Sequence, residues 1–328
     1  MRKLIIQIPC FNEEHSLGVT LAELPRALPG VDSVEWLVVD DGSTDRTVEV
    51  ARAHGVHHVI ELNNNRGLAQ AFMVGIDCAI KAGADIIVNT DADNQYSAAD
   101  IPRLIQPILD GDADIVVGAR PIGSISHFSP VKKILQRFGS WVVRIASGTD
   151  IPDAPSGFRA MTREAAMRLN CFNTYTYTLE TIIQAGRKGM AIKSVPVSVN
   201  RDLRPSRLVR SIPSYVQQSI FTIFRIFMTY RPFRFFATAG VLSILVGLAP
   251  TLRFLYFYYQ GLGQGNVQSL IYAALFLGTG GALIVVGLLA DLIGVNRMLL
   301  EDIRWRLREM EYREHSRAHQ EKPPRKHD

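Results

Sequence analysis

The chain has 328 residues, enough for one domain of ordinary size and an appendage, and 47% of them are hydrophobic while 20% are charged. The formal net charge is +5, but the first two hundred residues carry no basic stripe interleaved with aromatic residues, so no nucleic-acid partner is expected. The basic excess lies near apolar segments, which suits an anionic membrane surface instead.

The three cysteines, Cys10, Cys78 and Cys171, lie far apart and form no CxxC spacing. They are expected to be small buried side chains in a reducing compartment, not a disulfide or zinc framework. The apolar run that begins at Leu4 is too short for a signal peptide, so the first domain is expected to stay on the side where it is made.

The first two hundred residues alternate between short β-rich runs and amphipathic stretches. The predicted strands are Leu4–Ile8, Glu35–Val39, His58–Leu62, Asp85–Asn89 and Asp114–Val117. Residues 67–81 are typical of a helix, because Leu68, Phe72, Ile76 and Ile80 fall on one stripe. This alternation predicts parallel strands with helices on both faces, and ligands bound at the carboxyl ends of the strands.

Two long apolar segments follow, Phe235–Leu252 and Leu270–Ala290, and each is long enough to cross a bilayer as a helix. Arginines lie on both outer flanks, so the positive-inside bias predicts a transmembrane hairpin with both flanks cytoplasmic. Two buried core helices are the alternative, which the lack of any polar face disfavours. The hairpin either only holds the protein in the membrane or also joins copies through close helix contacts at small residues: Gly278, Gly280, Gly281 and Gly287.

Residues 215–230 carry apolar side chains at helical spacing, with Gln217, Gln218 and Arg225 between them. This pattern predicts an amphipathic helix in the membrane interface, although a helix packed on the first domain fits it equally well. The predicted organisation is residues 1–212 as the first domain, 213–232 as the amphipathic helix, 233–296 as two transmembrane helices and 297–328 as a basic cytoplasmic tail.

The strongest chemical signal is the sequence NTDADNQY at residues 89–96, directly after an apolar strand. Asp91 and Asp93 can reach one divalent cation, and Gln95 offers a further oxygen; Mg²⁺ and Mn²⁺ prefer oxygen ligands and keep positions open for phosphates. A polar turn in which Asp91 caps the next helix is the structural alternative.

A second acidic turn, VVDDGSTD at residues 38–45, follows the second predicted strand. Gly42 permits a sharp turn, Ser43 or Thr44 can cap the following helix, and Asp40 and Asp41 can accept hydrogen bonds from a base or ribose. The first strand ends in another polar cluster, at residues 8–14. Three such clusters after three strands are more than helix capping requires.

These motifs, with Asn65-Arg66-Gly67, Ser156-Gly157-Phe158-Arg159 and Arg204-Pro205-Ser206-Arg207-Leu208 further along, resemble the family 2 glycosyltransferases of GT-A fold. Within that family the chain resembles the dolichol-phosphate mannose synthase and polyprenyl-phosphate glycosyltransferase branch. The resemblance extends over residues 4–210. It implies an α/β fold of GT-A type, a Rossmann-like, mostly parallel sheet with helices on both faces.

The resemblance also implies roles for individual residues. The residues implied to bind the nucleotide are Pro9, Asn12, Glu13, Asp40 and Asp41, and those implied to bind Mg²⁺ or Mn²⁺ are Asp91, Asp93 and Gln95. The implied acceptor-phosphate residues are Lys133, Arg137, Arg204, Ser206 and Arg207, and the implied catalytic residues are Asp93, Arg120 and Arg207. Each of the basic residues can instead be an ordinary solvated charge.

The acceptor end departs from the family pattern, because Gln136 stands where serine is frequent and Arg204–Leu208 replaces Gly-x-Ser-Lys-Leu. A Gln-x-x-Arg-Trp motif of processive synthases is absent, and the nearest match begins with Glu301. The expected activity is inverting transfer of a sugar from a GDP- or UDP-linked donor to dolichyl or undecaprenyl phosphate. A membrane glycosyltransferase that uses a neutral lipid such as diacylglycerol, or a non-catalytic scaffold, is the alternative.

Overall fold

A computed structural model describes residues 1–121, 139–141, 143–171, 177–200, 228, 230–262 and 267–320. The chain forms two compact units, one of Met1–Ser219 with Glu301–Asp328 and the other of Ile220–Leu300. Most of the predicted amphipathic helix, as well as Lys133, Gln136, Arg137, Arg204, Ser206 and Arg207, lies outside the described residues.

The first unit contains seven strands in one sheet. They are β1 Lys3–Cys10, β2 Ser33–Asp40, β3 His58–Glu61, β4 Ile86–Asn89, β5 Ile115–Ala119, β6 Arg159–Thr162 and β7 Ile192–Pro196. The helices are α1 Leu17–Glu23, α2 Thr47–Ala53, α3 Leu68–Lys81, α4 Ile101–Leu109, α5 Arg163–Arg168 and α6 Thr178–Arg187, with a 3₁₀ turn at Ala98–Asp100. All five predicted strands and the predicted helix at 67–81 are confirmed within one or two residues.

The strand order is β3-β2-β1-β4-β6-β5-β7. β1 pairs in parallel with β2 and β4, which brings the carboxyl ends of these three strands to one edge of the sheet. β6 runs antiparallel between β4 and β5. The sequence analysis did not anticipate β6 or β7, because each is only four or five residues long and has no clear alternating pattern.

The core lies on both faces of the central strands. β1 is buried from Leu4 to Cys10, as expected of a strand covered by helices on both sides. In α3 the predicted stripe faces inward, with Phe72 and Ile76 fully buried. Burial of a side chain of this size stabilises the fold by about 1.5–3 kcal/mol.

The second unit contains α7, Pro232–Tyr259, and most of α8, Val267–Gln320. Both are long and apolar enough to cross a membrane, with mean hydropathy of 1.9 and 2.2 in their most apolar stretches. Their side chains there are largely exposed, unlike those of a core helix, so the core-helix alternative is not supported.

Small residues allow the backbones of α7 and α8 to approach closely. A Cβ added to Gly280 would lie 2.7 Å from the carbonyl oxygen of Gly240, and one added to Gly287 would lie 3.0 Å from Phe236. Among the described residues, no atom outside the local helix backbone lies within 4 Å of a Cβ added to Gly278 or Gly281. Gly280 and Gly287 therefore pack α8 against α7.

Residues from Glu301 onward continue α8 in the first unit and contact α3, α5 and α6. Arg308 donates hydrogen bonds to the carbonyl oxygens of Met167 and Leu169, at 3.2 and 3.0 Å, and lies 2.9 Å from a carboxylate oxygen of Asp77. Glu301 forms an ion pair with Lys188 at 3.0 Å. The region predicted as a basic tail is thus helical as far as Gln320.

Candidate active site

The acidic clusters predicted from the sequence converge at the carboxyl ends of β1, β2 and β4. Cys10, the last residue of β1, lies close to these clusters. Burial raises the pKa of its thiol well above the ordinary value, and the carboxylates of Glu13, Asp40, Asp45 and Asp91 raise that pKa further. Four carboxylates therefore act on one thiol. Cys10 and Cys171 are buried as predicted, whereas Cys78 is only partly buried, which corrects the expectation for that residue.

Asn12 joins the loop after β1 to the turn after β2. Its backbone N–H donates to Ser43 Oγ and its side-chain Oδ1 accepts from the Thr44 N–H, both at 2.8 Å. Asn12 has a φ of 54°, in the left-handed region that asparagine tolerates better than most residues. The prediction that Ser43 or Thr44 caps a helix is wrong, because α2 begins at Thr47 and no side chain caps it.

The two aspartates of the second turn have different surroundings. Both Asp41 oxygens accept backbone N–H groups, from Arg66 at 2.8 Å and Gly67 at 2.9 Å, so this side chain organises the loop before α3. Asp40 accepts from the Ser43 N–H through Oδ2, whereas its buried Oδ1 has no hydrogen-bond partner among the described residues. A buried acceptor without a partner is costly, so Asp40 Oδ1 is suited to a donor from a ligand.

Glu13 lies at the start of α1, and 8% of its surface is exposed. Its carboxylate accepts a hydrogen bond from Ser16 Oγ at 2.5 Å, and its backbone N–H donates to Thr47 Oγ1 at 2.8 Å. Pro9, also expected at the nucleotide, is the penultimate residue of β1 and pairs with Val39. Pro9, Asn12, Glu13, Asp40 and Asp41 thus all lie at the adjoining ends of β1 and β2.

Asp91 and Asp93 follow β4 directly. Burial raises the pKa of Asp91 to about 7, and repulsion from the Asp93 carboxylate adds to this effect. Asp93 also accepts a hydrogen bond from the backbone N–H of Gln95, at 3.1 Å. The Asp91 and Asp93 carboxylates repel each other, and a divalent cation held between them would relieve that repulsion.

The described residues contain no group of three or more His, Cys, Asp and Glu side chains that could hold a metal ion alone. Asp91 and Asp93 could supply two ligands, and the Gln95 side chain is the third oxygen implied from the sequence. Such a site fits Mg²⁺ or Mn²⁺ that is also bound by substrate phosphates, as these ions often are in phosphate chemistry.

The sequence analysis did not anticipate a buried hydrogen-bond network next to Asp91. Asn89 donates from Nδ2 to the Gly157 carbonyl oxygen and to the Tyr177 hydroxyl, both at 2.8 Å, and Tyr177 stacks on Phe72 with ring centroids 3.9 Å apart. A Cβ added to Gly157 would lie 2.8 Å from an Asp91 oxygen and 2.9 Å from the Tyr177 hydroxyl. Only glycine leaves room for the carboxylate here. The one feature of the sequence that could have indicated this network is the polar residue Asn89 at the end of an apolar strand.

Arg120 lies beside this network in a buried ion pair. It donates to both carboxylate oxygens of Asp153, at 2.8 and 3.0 Å, and 8% of its side chain is exposed. Its guanidinium also lies over the Tyr96 ring, 5.9 Å from the centroid. Burial raises the pKa of Tyr96 to about 12, and its hydroxyl accepts the Gly157 N–H at 3.0 Å. Asp153 was not anticipated as the partner of Arg120.

The buried side chain of Arg159 is hydrogen-bonded to the segment that precedes β6. It is 1% exposed, and it donates to the carbonyl oxygens of Ala154 and Ser156, both at 2.8 Å, and to the Thr181 hydroxyl. A buried cation that satisfies three acceptors fixes the conformation of residues 154–159, which include Gly157.

The sequence profile of glycosyl transferase family 2 matches residues 5–169, which are half of the chain and include the acidic clusters after β1, β2 and β4. The chain belongs to glycosyl transferase family 2. Among relatives of this family-2 chain, the undecaprenyl-phosphate mannosyltransferase of Micrococcus luteus is 32% identical over 219 residues, which cover 63% of this chain and 88% of the relative. The polyprenol monophosphomannose synthase of Mycolicibacterium smegmatis is 26% identical over 219 residues, 63% of this chain and 81% of the relative.

Solved structures agree on the fold of this family-2 enzyme. Glucosyl-3-phosphoglycerate synthase from Mycobacterium tuberculosis with phosphoglyceric acid has a TM-score of 0.56 and 23% identity, over 69% of this chain and 80% of that one. The same protein with Mn²⁺, uridine diphosphate and glucosyl-3-phosphoglycerate gives 0.52 and 22%, over 68% and 80%. The mostly parallel, seven-stranded sheet therefore has the GT-A architecture that was predicted.

Proposed function

We propose that this glycosyltransferase moves a sugar from a GDP- or UDP-linked donor to a polyprenyl phosphate, with inversion at the anomeric carbon. The observation that carries the proposal is the meeting of an unpartnered Asp40 oxygen and the Asp91/Asp93 pair at one sheet edge, in a chain with two helices able to cross a membrane. Relatives whose names specify undecaprenyl-phosphate and polyprenol substrates support the choice of acceptor.

The residues that we propose to bind the nucleotide-sugar donor all lie in the described part of the chain. Asp40 Oδ1 would accept a hydrogen bond from the base or ribose, with Pro9, Asn12, Glu13 and Asp41 around it. Asp41 would act by holding the Arg66–Gly67 backbone, since both of its oxygens are already engaged there.

Asp91, Asp93 and the Gln95 side chain would hold Mg²⁺ or Mn²⁺. Such an ion, when bound, supplies Lewis-acid stabilisation of the charge that develops on a departing diphosphate. The role of this chain would be to keep the Asp91 carboxylate in place beside the network of Asn89, Gly157 and Tyr177, and to place the charge of Arg120 nearby. Preorganised charges of this kind need no reorganisation during the reaction.

On the acceptor side, a lipid phosphate is already ionised at neutral pH, so its oxygen can attack without a strong general base. The residues proposed to bind that phosphate are Lys133, Arg137, Arg204, Ser206 and Arg207. We further propose that α7 and the apolar part of α8 form a transmembrane hairpin with both basic flanks cytoplasmic, so that the domain of residues 1–212 works at the membrane surface where its acceptor lies. An amphipathic helix at 213–232 would lead into the hairpin.

The test uses purified full-length protein in detergent with polyprenyl phosphate, Mn²⁺ or Mg²⁺, and a panel of nucleotide-sugars. The measurement is transfer of labelled sugar into the organic phase. One donor is expected to support transfer, and EDTA or Asp93→Ala is expected to reduce it at least about a hundred-fold, because loss of electrostatic stabilisation at a reacting diphosphate costs several kcal/mol.

Asp110→Ala is the matched control, because Asp110 is an exposed carboxylate at the end of α4, and it should retain full activity. Full activity of wild-type protein with chelator present would contradict the metal role. Transfer to diacylglycerol but not to polyprenyl phosphate would move the assignment to a neutral acceptor, and failure to bind any nucleotide-sugar would favour a scaffold.

A further inference from the structure

The last part of α8 carries exposed apolar side chains in a region that is otherwise dense in charge. Ile303, Leu307 and Met310 are 54%, 50% and 54% exposed, although Asp302, Arg304, Arg306, Glu309 and Glu311 lie among them. Their spacing of four and then three residues places them on one stripe of the helix. Such a stripe on a charged helix calls for a covering surface.

The same stripe extends backward along α8 as a heptad pattern. Alternate steps of three and four residues, beginning at an a position, pass through Val286, Leu289, Ile293, Asn296, Leu300, Ile303, Leu307 and Met310. Each of the seven apolar members is at least 44% exposed. A repeat of 3.5 residues that is sustained over more than three heptads, with a single polar interruption, is the pattern of a coiled-coil seam.

Lipid cannot cover the whole seam. α8 has 54 residues and is therefore about 80 Å long, whereas the hydrocarbon core of a bilayer is about 30 Å thick. The apolar residues up to about Val295 are long enough to fill that core. Ile303, Leu307 and Met310 follow Arg297 by two to four helical turns.

The first unit does not use this stripe either. The residues of the segment 301–312 with identified contacts to the rest of the first unit include Glu301, Trp305, Arg308 and Tyr312. At about 100° of rotation per residue, these four lie roughly 160° around the helix from the exposed stripe. One face of the helix thus binds the catalytic domain, and the opposite face is open.

We propose that the stripe is covered by a second copy of this chain, packed as a parallel coiled coil along α8. Two copies inserted in one membrane with the same topology are related by an axis along the membrane normal, so their α8 helices run in the same direction. In that arrangement Arg306, at a g position, lies opposite Glu311 of the other copy at the following e position, and the two charges attract. Arg306 has an intrahelical partner, Asp302 at 3.0 Å, which keeps it beside the seam. The orientation, but not the stripe itself, rests on the proposed membrane insertion.

The test is disulfide cross-linking of full-length protein in vesicles at high lipid-to-protein ratio. The background is Cys78→Ser, because Cys78 is the only native thiol that is not buried. Leu307→Cys lies at an a position, where paired Cα atoms come close enough for a disulfide, and is expected to form a covalent dimer on mild oxidation. Asp302→Cys, exposed at a c position, is the matched control and should give at least about ten-fold less dimer.

The second measurement is the mass of the detergent-solubilised protein by light scattering. Wild type is expected at two or more copies, and Ile303→Glu with Leu307→Glu at one copy; unchanged helix content by circular dichroism would show that the variant is folded. Equal cross-linking from positions 302 and 307, or a monomeric wild type, would overturn the proposal. Neither measurement involves sugar transfer, so failure here is separate from failure of the proposed activity.

Discussion

The sheet edge of the first unit and the hairpin of the second invert the usual relation between polarity and exposure. At the edge, polar side chains such as Asn89, Arg159 and Asp153 are buried, and each is hydrogen-bonded to other groups of the first unit. In the hairpin, apolar side chains such as Leu252 and Ile271 are 64% exposed. The edge obtains its stability from internal partners, and the hairpin is suited to obtaining it from an apolar surrounding.

This contrast predicts different consequences of substitution. A change at the edge should break hydrogen bonds and displace the residues of the candidate site, because most polar groups there have specific partners. A change on the outside of the hairpin should have little effect, and only the contact between α7 and α8 should be sensitive to side-chain size.

The largest effect is expected from Arg159→Met. Loss of the buried guanidinium leaves two carbonyl oxygens and the Thr181 hydroxyl without their donor, which should lower the free energy of unfolding by about 3–5 kcal/mol. Urea unfolding of the detergent-solubilised protein measures it. Arg144→Met removes an arginine that is 40% exposed, and its cost should stay below about 0.5 kcal/mol. Equal costs for the two variants would show that Arg159 does not hold the edge.

Gly157→Ala should damage both activity and stability. The new methyl group would press on the Asp91 carboxylate and the Tyr177 hydroxyl, so we expect sugar transfer to fall about 10- to 100-fold and stability by about 1–3 kcal/mol. The readout is kcat at saturating donor together with the unfolding free energy. In Gly281→Ala the added methyl group meets no atom of the described residues within 4 Å apart from its own helix backbone, and both quantities should stay near wild type. Unchanged kcat in Gly157→Ala would contradict the role of Gly157 in placing Asp91.

In the hairpin, Gly280→Leu should separate α7 from α8 at a cost of about 1–3 kcal/mol, because its Cβ would lie 2.5 Å from Ile244 and 2.7 Å from the Gly240 carbonyl oxygen. Disulfide formation between Ser243→Cys and Phe276→Cys, whose parent residues are joined by a 2.8 Å hydrogen bond, measures helix separation. Gly278→Leu points into open space and should leave that cross-link intact. If both leucine variants cross-link as wild type does, the helices are not held by these small residues.

The smallest effect concerns Glu35 in β2. Burial opposes its ionisation, but hydrogen bonds from Lys3 and His58 outweigh this and lower its pKa below the ordinary value of 4.5. Ionised Glu35 therefore stabilises the fold fully above about pH 4.5, and this contribution is lost as the pH falls through the lower pKa that Glu35 has in the folded state. Wild type should melt roughly 1–3 °C above Glu35→Gln near pH 6, and the gap should close below about pH 4. Glu61→Gln, whose partner Arg52 is exposed, should show no such trend. A gap for Glu35→Gln that persists at pH 3 would exclude this ionic origin.

Patterns local to the chain were sufficient for the strands, for the inward stripe of α3 and for the two long apolar helices. Each depends on a repeat of two or 3.6 residues, or on an uninterrupted apolar run, and these are properties of neighbouring residues. The positions of Asp40, Asp41, Asp91 and Asp93 at one edge followed as well, because parallel strands bring their carboxyl ends together.

Contacts between residues far apart in the sequence could not be predicted from such local patterns. Ser43 and Thr44 have the side chains of helix caps, yet Asn12, some thirty residues earlier, engages both. Tyr177 reaches Asn89 across 88 positions, and β6 enters the sheet antiparallel between β4 and β5. No local signal marks these partners, since the energy of each contact exists only after the sheet has formed.

The sequence by itself therefore determined the α/β class, the family resemblance, the acidic clusters and the apolar helices, because all of these depend on residue type and spacing along the chain. Only the tertiary structure decided which carboxylate oxygen of the second turn lacks a partner, why residue 157 has no side chain and which face of α8 is open. These depend on which atoms meet in space, and burial, hydrogen bonding and close packing act on that arrangement.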